Sequence, residues 1–87
     1  MAFVFDPDKD ATNREKHGLS LARAVNIDFA IYLPDDRRAY GERRLRAFGL
    51  LDGEPCCLAF TVRGEDIRLI SLRRAHWKEY RRYVPQA

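Results

Sequence analysis

Long hydrophobic runs are missing from this 87-residue chain. No stretch approaches the roughly 18 apolar residues of a membrane-spanning helix, so none is expected. The N-terminal residues turn acidic at Asp6, before the apolar core of a signal peptide could form. The length leaves room for one modest hydrophobic core and excludes large architectures such as barrels. The sequence therefore predicts one domain over residues 1–87.

Cysteine and histidine are scarce. Cys56 and Cys57 are adjacent, so they cannot form the spaced pairs of a structural zinc site, and on a strand they would point to opposite faces. His17 and His76 have no histidine or cysteine four residues away. Glycine-rich phosphate loops and serine-nucleophile motifs are absent as well. We therefore expect a reduced, cytoplasmic protein with neither a metal ion nor a cofactor.

Positive charge is present and unevenly distributed. Residues 1–36 carry four basic and seven acidic side chains, a net charge of −3, whereas residues 37–87 carry twelve and six, a net charge of +6. Thirteen of the 16 basic residues are arginine, which suits bidentate contacts with phosphate. The composition is compatible with nucleic-acid binding and equally with the codon usage of a GC-rich genome. It does not distinguish cutting from binding.

The first predicted helix is unusually polar. Asp6 is expected to cap it, with Pro7 at its first position, and it should run to about His17, with Gly18 ending it. Ala11 is the only clearly apolar residue in this stretch. Burial of an apolar stripe cannot therefore be the main force that holds the helix in place.

The remaining pattern predicts an α+β fold. Ser20 is expected to cap a second short helix with Leu21, Ala24 and Val25 on one face. The run at 3–5 is a candidate edge strand, and Asp52-Gly53 is a strong hairpin signal. Four longer β-rich segments and a C-terminal helix follow, at residues 29–33, 43–51, 56–62, 67–72 and 75–83. We predict an antiparallel meander of about four strands, with two N-terminal helices and one C-terminal helix.

The chain contains residues that could cleave RNA without a metal ion. Such cleavage needs a group that accepts the proton of the 2′-hydroxyl and fixed cations that stabilise the phosphorane. Candidates occur on the polar helix and at strand ends: Lys9, Lys16, His17, Glu42, Arg43, Arg63 and Arg73. Arg63 and Arg73 each end a predicted strand, and we expect both strand ends to lie at one rim of the sheet, which would bring the two residues together.

Each candidate also has a structural interpretation. A histidine at a helix C-terminus interacts favourably with the helix dipole, and this alone explains His17. Lys9 and Lys16 can be solvated surface charges. Glu42 can pair with a nearby arginine, and Arg63 lies beside a turn, where exposed charge is ordinary. The residues alone leave these alternatives open.

Several sequence pieces nevertheless occur together in a specific order. They are Phe5-Asp6-Pro7 with Lys9, then Asn13 with Lys16-His17-Gly18, then Asp35 to Arg43, which ends in Tyr40-Gly41-Glu42-Arg43, then Thr61-Val62-Arg63-Gly64, and finally the run from Ile67 to Ala75 with Glu79 and Tyr83 behind it. In this order the chain resembles the BrnT family of type II toxin–antitoxin systems, ribonuclease toxins with a RelE/ParE-like fold. It departs from the family pattern at Ser20-Leu21 and at His76-Trp77.

The resemblance implies a toxin that cleaves RNA and inhibits translation. It implies a BrnA-like ribbon-helix-helix antitoxin as partner, forming a heterotetramer that contacts operator DNA mainly through the antitoxin. Carried onto this chain, the catalytic positions are Lys9, His17, Glu42, Arg63 and Arg73, and the RNA-binding positions are Lys16, Arg43, Arg68, Arg74 and Tyr80. By their chemistry, His17 or Glu42 accepts the proton, Arg63 and Arg73 hold the phosphate, and Lys9 adds positive potential. The alternative is a ParE-like or degenerate toxin that binds protein or nucleic acid without cleavage.

Overall fold

The computed structural model describes residues 2–86. Strands and helices follow one another in the chain as β1 (Ala2–Val4), α1 (Pro7–His17), a 3₁₀ helix (Leu21–Asn26), β2 (Asp28–Pro34), β3 (Arg44–Leu51), β4 (Glu54–Arg63), β5 (Asp66–Arg74) and α2 (Trp77–Tyr83). The expected α+β class is confirmed. Each observed strand includes the core of its predicted segment, with ends that differ by one to two residues.

The strands form one mixed sheet of five members in the order β1-β5-β4-β3-β2. The pairs β2–β3, β3–β4 and β4–β5 are antiparallel, but β1 lies parallel to β5, with Phe3 opposite Ile67. The prediction of an antiparallel sheet of about four strands is therefore corrected to a mixed sheet of five. A three-residue strand carries too little pattern to indicate its partner, which here lies more than 60 residues away in sequence.

Helix α1 begins and ends where its capping residues predict. The Asp6 carboxylate accepts a hydrogen bond from the Asp8 backbone N–H at 2.8 Å, and Pro7 occupies the first turn. At the other end Gly18 adopts φ +71°, and its N–H donates to the Arg14 carbonyl at 2.9 Å. This left-handed conformation has little steric cost for glycine, which is why the helix stops there.

A buried amide joins α1 to the sheet. The Asn13 side chain donates to the carbonyl oxygens of Leu19, at 2.8 Å, and Leu72, at 2.9 Å, and it accepts from the Leu72 N–H at 2.9 Å. Asn13 therefore provides hydrogen-bond partners for the Leu72 carbonyl and N–H of β5, which lie beyond the residues of β5 that pair with β1. Asn13 is the buried residue of α1, so specific hydrogen bonds replace the missing apolar stripe.

The second helix differs from its prediction. It is a 3₁₀ helix in which Leu21 and Ala24 are fully buried while Val25 is 70% exposed. A 3₁₀ helix has three residues per turn, so Leu21 and Ala24 lie on the same side, and Val25, one position after Ala24, lies on a different side. The expectation that Val25 shares the buried face is therefore wrong. The Asp10 carboxylate fixes the start of this helix by accepting from the Ser20 hydroxyl, at 2.9 Å, and the Leu21 N–H, at 2.6 Å.

The sheet has two different faces because side chains alternate along each strand. One face, here called the core face, carries the main apolar cluster against the 3₁₀ helix, with strand members Leu45, Ala47, Leu51, Cys56, Leu58, Phe60, Leu69 and Leu72. Part of the core face stays uncovered and forms an apolar groove of about 250 Å³, lined by residues that include Phe3, Phe29, Tyr32 and Ile67.

Helix α2 covers one end of the opposite face. Tyr80 is buried against Phe48, and Tyr83 stacks on the same ring with centroids 4.7 Å apart. The helix begins at Trp77, two residues later than the start expected at residue 75. Within residues 2–86, no helix combines the length and the apolar character needed to cross a membrane.

Candidate active site

The face opposite the core face carries arginines from two strands. Three cross-strand rows run over β3, β4 and β5, and the β4 member of each is small: Arg44–Thr61–Arg68, Arg46–Ala59–Ser71 and Phe48–Cys57–Arg73. We call this surface the arginine face, after Arg44, Arg46, Arg68 and Arg73. Because directly opposed residues in antiparallel strands share a face, these four side chains leave the sheet on the same side.

A β-bulge in β5 sets this arrangement. Ala59 lies opposite Ser71, whereas Phe60 lies opposite Leu69, so Ile70 is the extra residue. The bulge reverses the alternation between Arg68 and Arg73. Without it the two arginines, five positions apart, would point to opposite faces. Ser71 thus lies between them on the arginine face.

A cleft of about 280 Å³ opens between α1 and β5. It is lined by Asp8, Lys9, Thr12, Asn13, Lys16 and His17 from the helix and by Ile70 and Ser71 from the strand. The cleft therefore brings together Lys9, Lys16 and His17, three residues singled out from the sequence. Their spacing along one side of α1 makes this possible. Ser71 belongs both to the cleft and to the middle row of the arginine face, so the two surfaces are continuous.

Two other candidates pair with each other away from the cleft. Arg63 Nη2 lies 3.1 Å from a Glu42 carboxylate oxygen, and Arg63 is exposed at the end of β4. Glu42 is not among the residues that line the cleft. The pair is the ion pair that the structural interpretation anticipated, and it lies at the rim of the sheet.

Arg63 and Arg73 do not meet. Arg63 is opposite Asp66, and Arg73 is opposite Cys57, which is six residues further back along β4. That separation corresponds to roughly 20 Å along the strand. The expectation of a shared rim is wrong because consecutive antiparallel strands end at opposite rims. A single phosphate cannot be held by both residues in this arrangement.

Arg73 is held in place by α2. Its two terminal nitrogens donate to the two Glu79 carboxylate oxygens, each at 2.9 Å. This bidentate contact raises the pKa of Arg73 and lowers the pKa of Glu79. The Arg73 guanidinium therefore has a fixed position at the α2 end of the arginine face.

The remaining sequence candidates lie in different environments. Arg68 is on the arginine face. Arg43 is exposed just before β3, and its carbonyl accepts from the Thr61 hydroxyl. Arg74 lies at the other side of the sheet, where it donates to the Leu51 carbonyl at 3.0 Å. Tyr80 is only 3% exposed and its pKa is raised by burial, so its ring belongs to the core below α2.

A hydrogen-bonded network within the segment 35–43 supports Arg44, which was not among the site residues predicted from the sequence. Asp35, buried just after β2, accepts from Arg37 at 2.7 and 2.9 Å and from the Tyr40 hydroxyl at 3.2 Å. The hydrogen bonds from Arg37 hold the pKa of Asp35 well below its usual range. The Tyr40 ring in turn lies 3.8 Å from the Arg44 guanidinium carbon. The sequence signal is an acidic residue two positions before an arginine, directly after the strand-ending Pro34.

Arg46 was also missed, although its alternation with Arg44 along β3 is visible in the sequence. Arg46 is only 8% exposed, and its guanidinium lies beside the rings of Phe48 and Tyr83. Within the described range 2–86, histidine, cysteine and acidic side chains form no group of three or more that could hold a metal ion.

Comparison with known proteins gives one informative match. No curated protein matches the chain. A family model does match, over residues 5–79, and it describes the ribonuclease toxin, BrnT, of type II toxin–antitoxin systems. The matched range includes α1 with its cleft, the whole arginine face and Glu79. The chain therefore belongs to the BrnT family of ribonuclease toxins, as its sequence pieces predicted.

Proposed function

We propose that the chain is an endoribonuclease that binds single-stranded RNA along the arginine face and cleaves it at the cleft between α1 and β5. The observation that carries this proposal is the continuity of the two surfaces. Lys9, Lys16 and His17 line a cleft whose strand side is Ser71, and Ser71 lies between Arg68 and Arg73 on the arginine face. Fixed cations for phosphate and a proton-transfer group are thus adjacent.

The proposed reaction is transesterification within the RNA strand. The 2′-hydroxyl gives its proton to the His17 imidazole as its oxygen bonds to the neighbouring phosphorus. The bond from phosphorus to the 5′-oxygen breaks, and the departing oxygen takes a proton from the Lys9 ammonium or from water. Lys16 and the arginines stabilise the negative charge of the phosphorane. The products carry a 2′,3′-cyclic phosphate and a 5′-hydroxyl.

In this scheme Glu42 and Arg63 have a different role from the one assigned by chemistry alone. Their mutual ion pair at the rim makes Glu42 a partner of Arg63 rather than the proton acceptor at the cleft. Arg63, exposed at the rim, is available to contact the RNA strand beyond the cleavage point. We therefore assign proton transfer to His17 and binding to Arg63.

We propose that the reaction needs no metal ion, since the cleft and the arginine face together supply the cations and the proton-transfer group. The test is incubation of the full chain with single-stranded RNA in excess EDTA, with the ends of the products identified. We expect cleavage with cyclic phosphate ends. We expect His17→Ala to lower the rate by a factor of about 100 or more, as for loss of a general acid–base group.

The matched control is Arg14→Ala. Arg14 is a cation in the same last turn of α1, but it pairs with Asp10 at 3.4 Å and does not line the cleft. If His17 only stabilises the helix terminus, both variants should behave alike. Equal rates for the two variants would refute the catalytic assignment, and RNA binding without any scission would favour the non-cleaving module. Activity that disappears in EDTA and returns with a divalent cation would refute metal independence.

Membership of a type II family implies a protein antitoxin. We propose that this partner is a BrnA-like ribbon-helix-helix protein that forms a heterotetramer with the toxin and makes most of the contacts with operator DNA. The uncovered apolar groove on the core face supports a protein partner, because exposed Phe29 and Tyr32 gain from burial. Co-purification with the product of the neighbouring gene, followed by mass measurement, tests both identity and stoichiometry.

We further propose a RelE-like fold and action on translation in the cytoplasm. The antiparallel run β2 to β5 with helices at its start and end supports the fold assignment. The two cysteines are buried and form no disulfide, which suits a reducing compartment. Growth arrest on induction, relieved by the antitoxin, is the expected cellular result.

A further inference from the structure

Arg46 is a buried cation whose charge is not compensated by a carboxylate. It is only 8% exposed, and within residues 2–86 no Asp or Glu forms an ion pair with it. Among the described residues its side chain makes one hydrogen bond, a long donation of 3.4 Å to the Tyr83 hydroxyl, and its buried Nε has no partner there. Burial of a charged group without an anionic partner is unfavourable for folding.

The position of the Arg46 guanidinium is nevertheless fixed. Its central carbon lies 5.1 Å from the centre of the Tyr83 ring and 5.8 Å from that of Phe48, and the two rings stack on each other. Cation–π attraction offsets part of the cost of burial. Cation–π attraction supplies no hydrogen-bond acceptor, so the terminal nitrogens of Arg46, which within residues 2–86 make only the long bond to Tyr83, keep donor capacity at a defined point of the arginine face.

The charge near Arg46 is also unbalanced. The Glu79 carboxylate interacts with the Arg46 charge, since Arg73 chiefly, and Arg46 and Arg82 to a lesser degree, lower the pKa of Glu79. Both Glu79 oxygens are already occupied by Arg73. Burial raises the pKa of the Cys57 thiol, and the positive charges of Arg73 and Arg46 oppose this rise, so both cations lie near the thiol. One carboxylate therefore interacts with three guanidinium groups, and among residues 2–86 its ion pair is with Arg73.

We propose that Arg46 forms a second phosphate site, which binds the phosphodiester next to the one that is cleaved. This inference rests on the proposed function. Arg46 and Ser71 belong to the same cross-strand row, two strands apart, which is roughly 10 Å between their Cα atoms. Only the small Ala59 lies between them. An extended single strand that enters the cleft beside Ser71 and crosses β4 places its neighbouring phosphate within reach of Arg46.

The experiment measures binding of the full chain to a single-stranded 2′-O-methyl RNA, which lacks the attacking hydroxyl and cannot be cleaved. Arg46→Met removes the charge and keeps an unbranched side chain beside the two stacked aromatic rings. We expect affinity to fall about tenfold, the loss of one charge-assisted contact. The slope of log K against log salt should become shallower by about 0.7, the value for one phosphate contact in a single strand.

Two further variants separate binding from a structural role. Arg46→Lys keeps the charge and should keep the wild-type salt slope. Arg23→Met is the matched control, because Arg23 pairs with Asp52 on the 3₁₀-helix side of the sheet, and it should leave the slope unchanged. Since Arg46 is an uncompensated buried charge, Arg46→Met should also have a urea midpoint equal to or above that of the wild type.

An unchanged affinity and salt slope in Arg46→Met would overturn the second phosphate site. A lower urea midpoint with unchanged RNA binding would overturn it as well, because Arg46 would then be a structural link to α2. Cleavage of ordinary RNA by the wild type under the same conditions keeps the proposed function intact in both cases. If the wild type neither binds nor cleaves RNA, the proposed function itself fails, and this inference fails with it.

Discussion

The Asn13 side chain offers the sharpest test of how α1 is held. In Asn13→Ala, two carbonyl oxygens, those of Leu19 and Leu72, and the Leu72 N–H all lose their partners. Each buried polar group left unsatisfied costs about 1–3 kcal/mol. Because α1 lies at the edge of the sheet, water can reach part of the gap, and we expect a total loss of roughly 3–5 kcal/mol.

That loss is a large share of the total. A chain of this length has an unfolding free energy of about 4–13 kcal/mol at the usual 0.05–0.15 kcal/mol per residue. The melting temperature of Asn13→Ala should therefore fall by at least about 12 °C, since each 1 kcal/mol shifts it by about 4 °C or more in a small domain. Urea unfolding followed by far-UV circular dichroism measures the free energy directly.

Thr12→Ala is the matched control, because the Thr12 side chain is solvent-exposed and its hydroxyl donates to the Asp8 carbonyl within α1, at 3.1 Å, and not to the sheet. It should change the unfolding free energy by less than about 0.5 kcal/mol. Asn13→Asp adds a second comparison: it can still accept from the Leu72 N–H but cannot donate, so it should be destabilised like Asn13→Ala at neutral pH. A loss below about 1 kcal/mol in Asn13→Ala would refute the view that this amide holds the helix.

Three further changes have defined outcomes. Gly49→Ala would place its Cβ 2.6 Å from the Asp28 carbonyl oxygen, so β2 must shift, and urea unfolding should show a loss of about 1–3 kcal/mol; wild-type stability would contradict the packing. The folded pKa of Asp35 is depressed, so its stabilisation is complete above the unfolded value of about 3.9 and is lost as pH falls below it. Asp35→Asn should therefore be less stable at pH 7, with a difference that shrinks towards pH 2; a constant difference would argue against the linkage. Glu79→Gln removes the carboxylate that pairs with Arg73 and should strengthen binding of 2′-O-methyl RNA several-fold. Weaker binding would mean that the fixed position of the Arg73 guanidinium matters more than its unpaired charge.

The order of elements could be predicted from local signals. Capping and turn residues act on backbone groups only a few positions away. Asp6, Pro7 and Gly18 therefore define the ends of α1, and Asp52-Gly53 defines a hairpin, without contacts from the rest of the chain. The parallel pairing of β1 with β5 could not be predicted in the same way. It depends on contacts between segments far apart in sequence, and three residues do not specify a partner.

The site was predictable where it lies on one helix and less so where it depends on strand register. Lys9, Lys16 and His17 reach one cleft because helical spacing alone places them on one side. Arg63 and Arg73 were expected to meet, but their positions follow from strand direction, and antiparallel neighbours separate them. Tyr80 and Tyr83 both pack on Phe48, and the burial of Tyr80 follows from how α2 lies against the sheet.

The arginines of the face show how small a structural difference decides which residue serves the site. Arg43 and Arg44 are neighbours in sequence, yet only Arg44 lies in a cross-strand row with Arg68, because β3 pairs with β4 in a register fixed by the hairpin at residues 52–53. A shift of one residue would exchange the two arginines and would also move Arg46 to the core face. Leu45 and Ala47 flank Arg46 in β3 and fill the core, so their burial opposes that shift. The same packing that holds the sheet together therefore sets where its cations point.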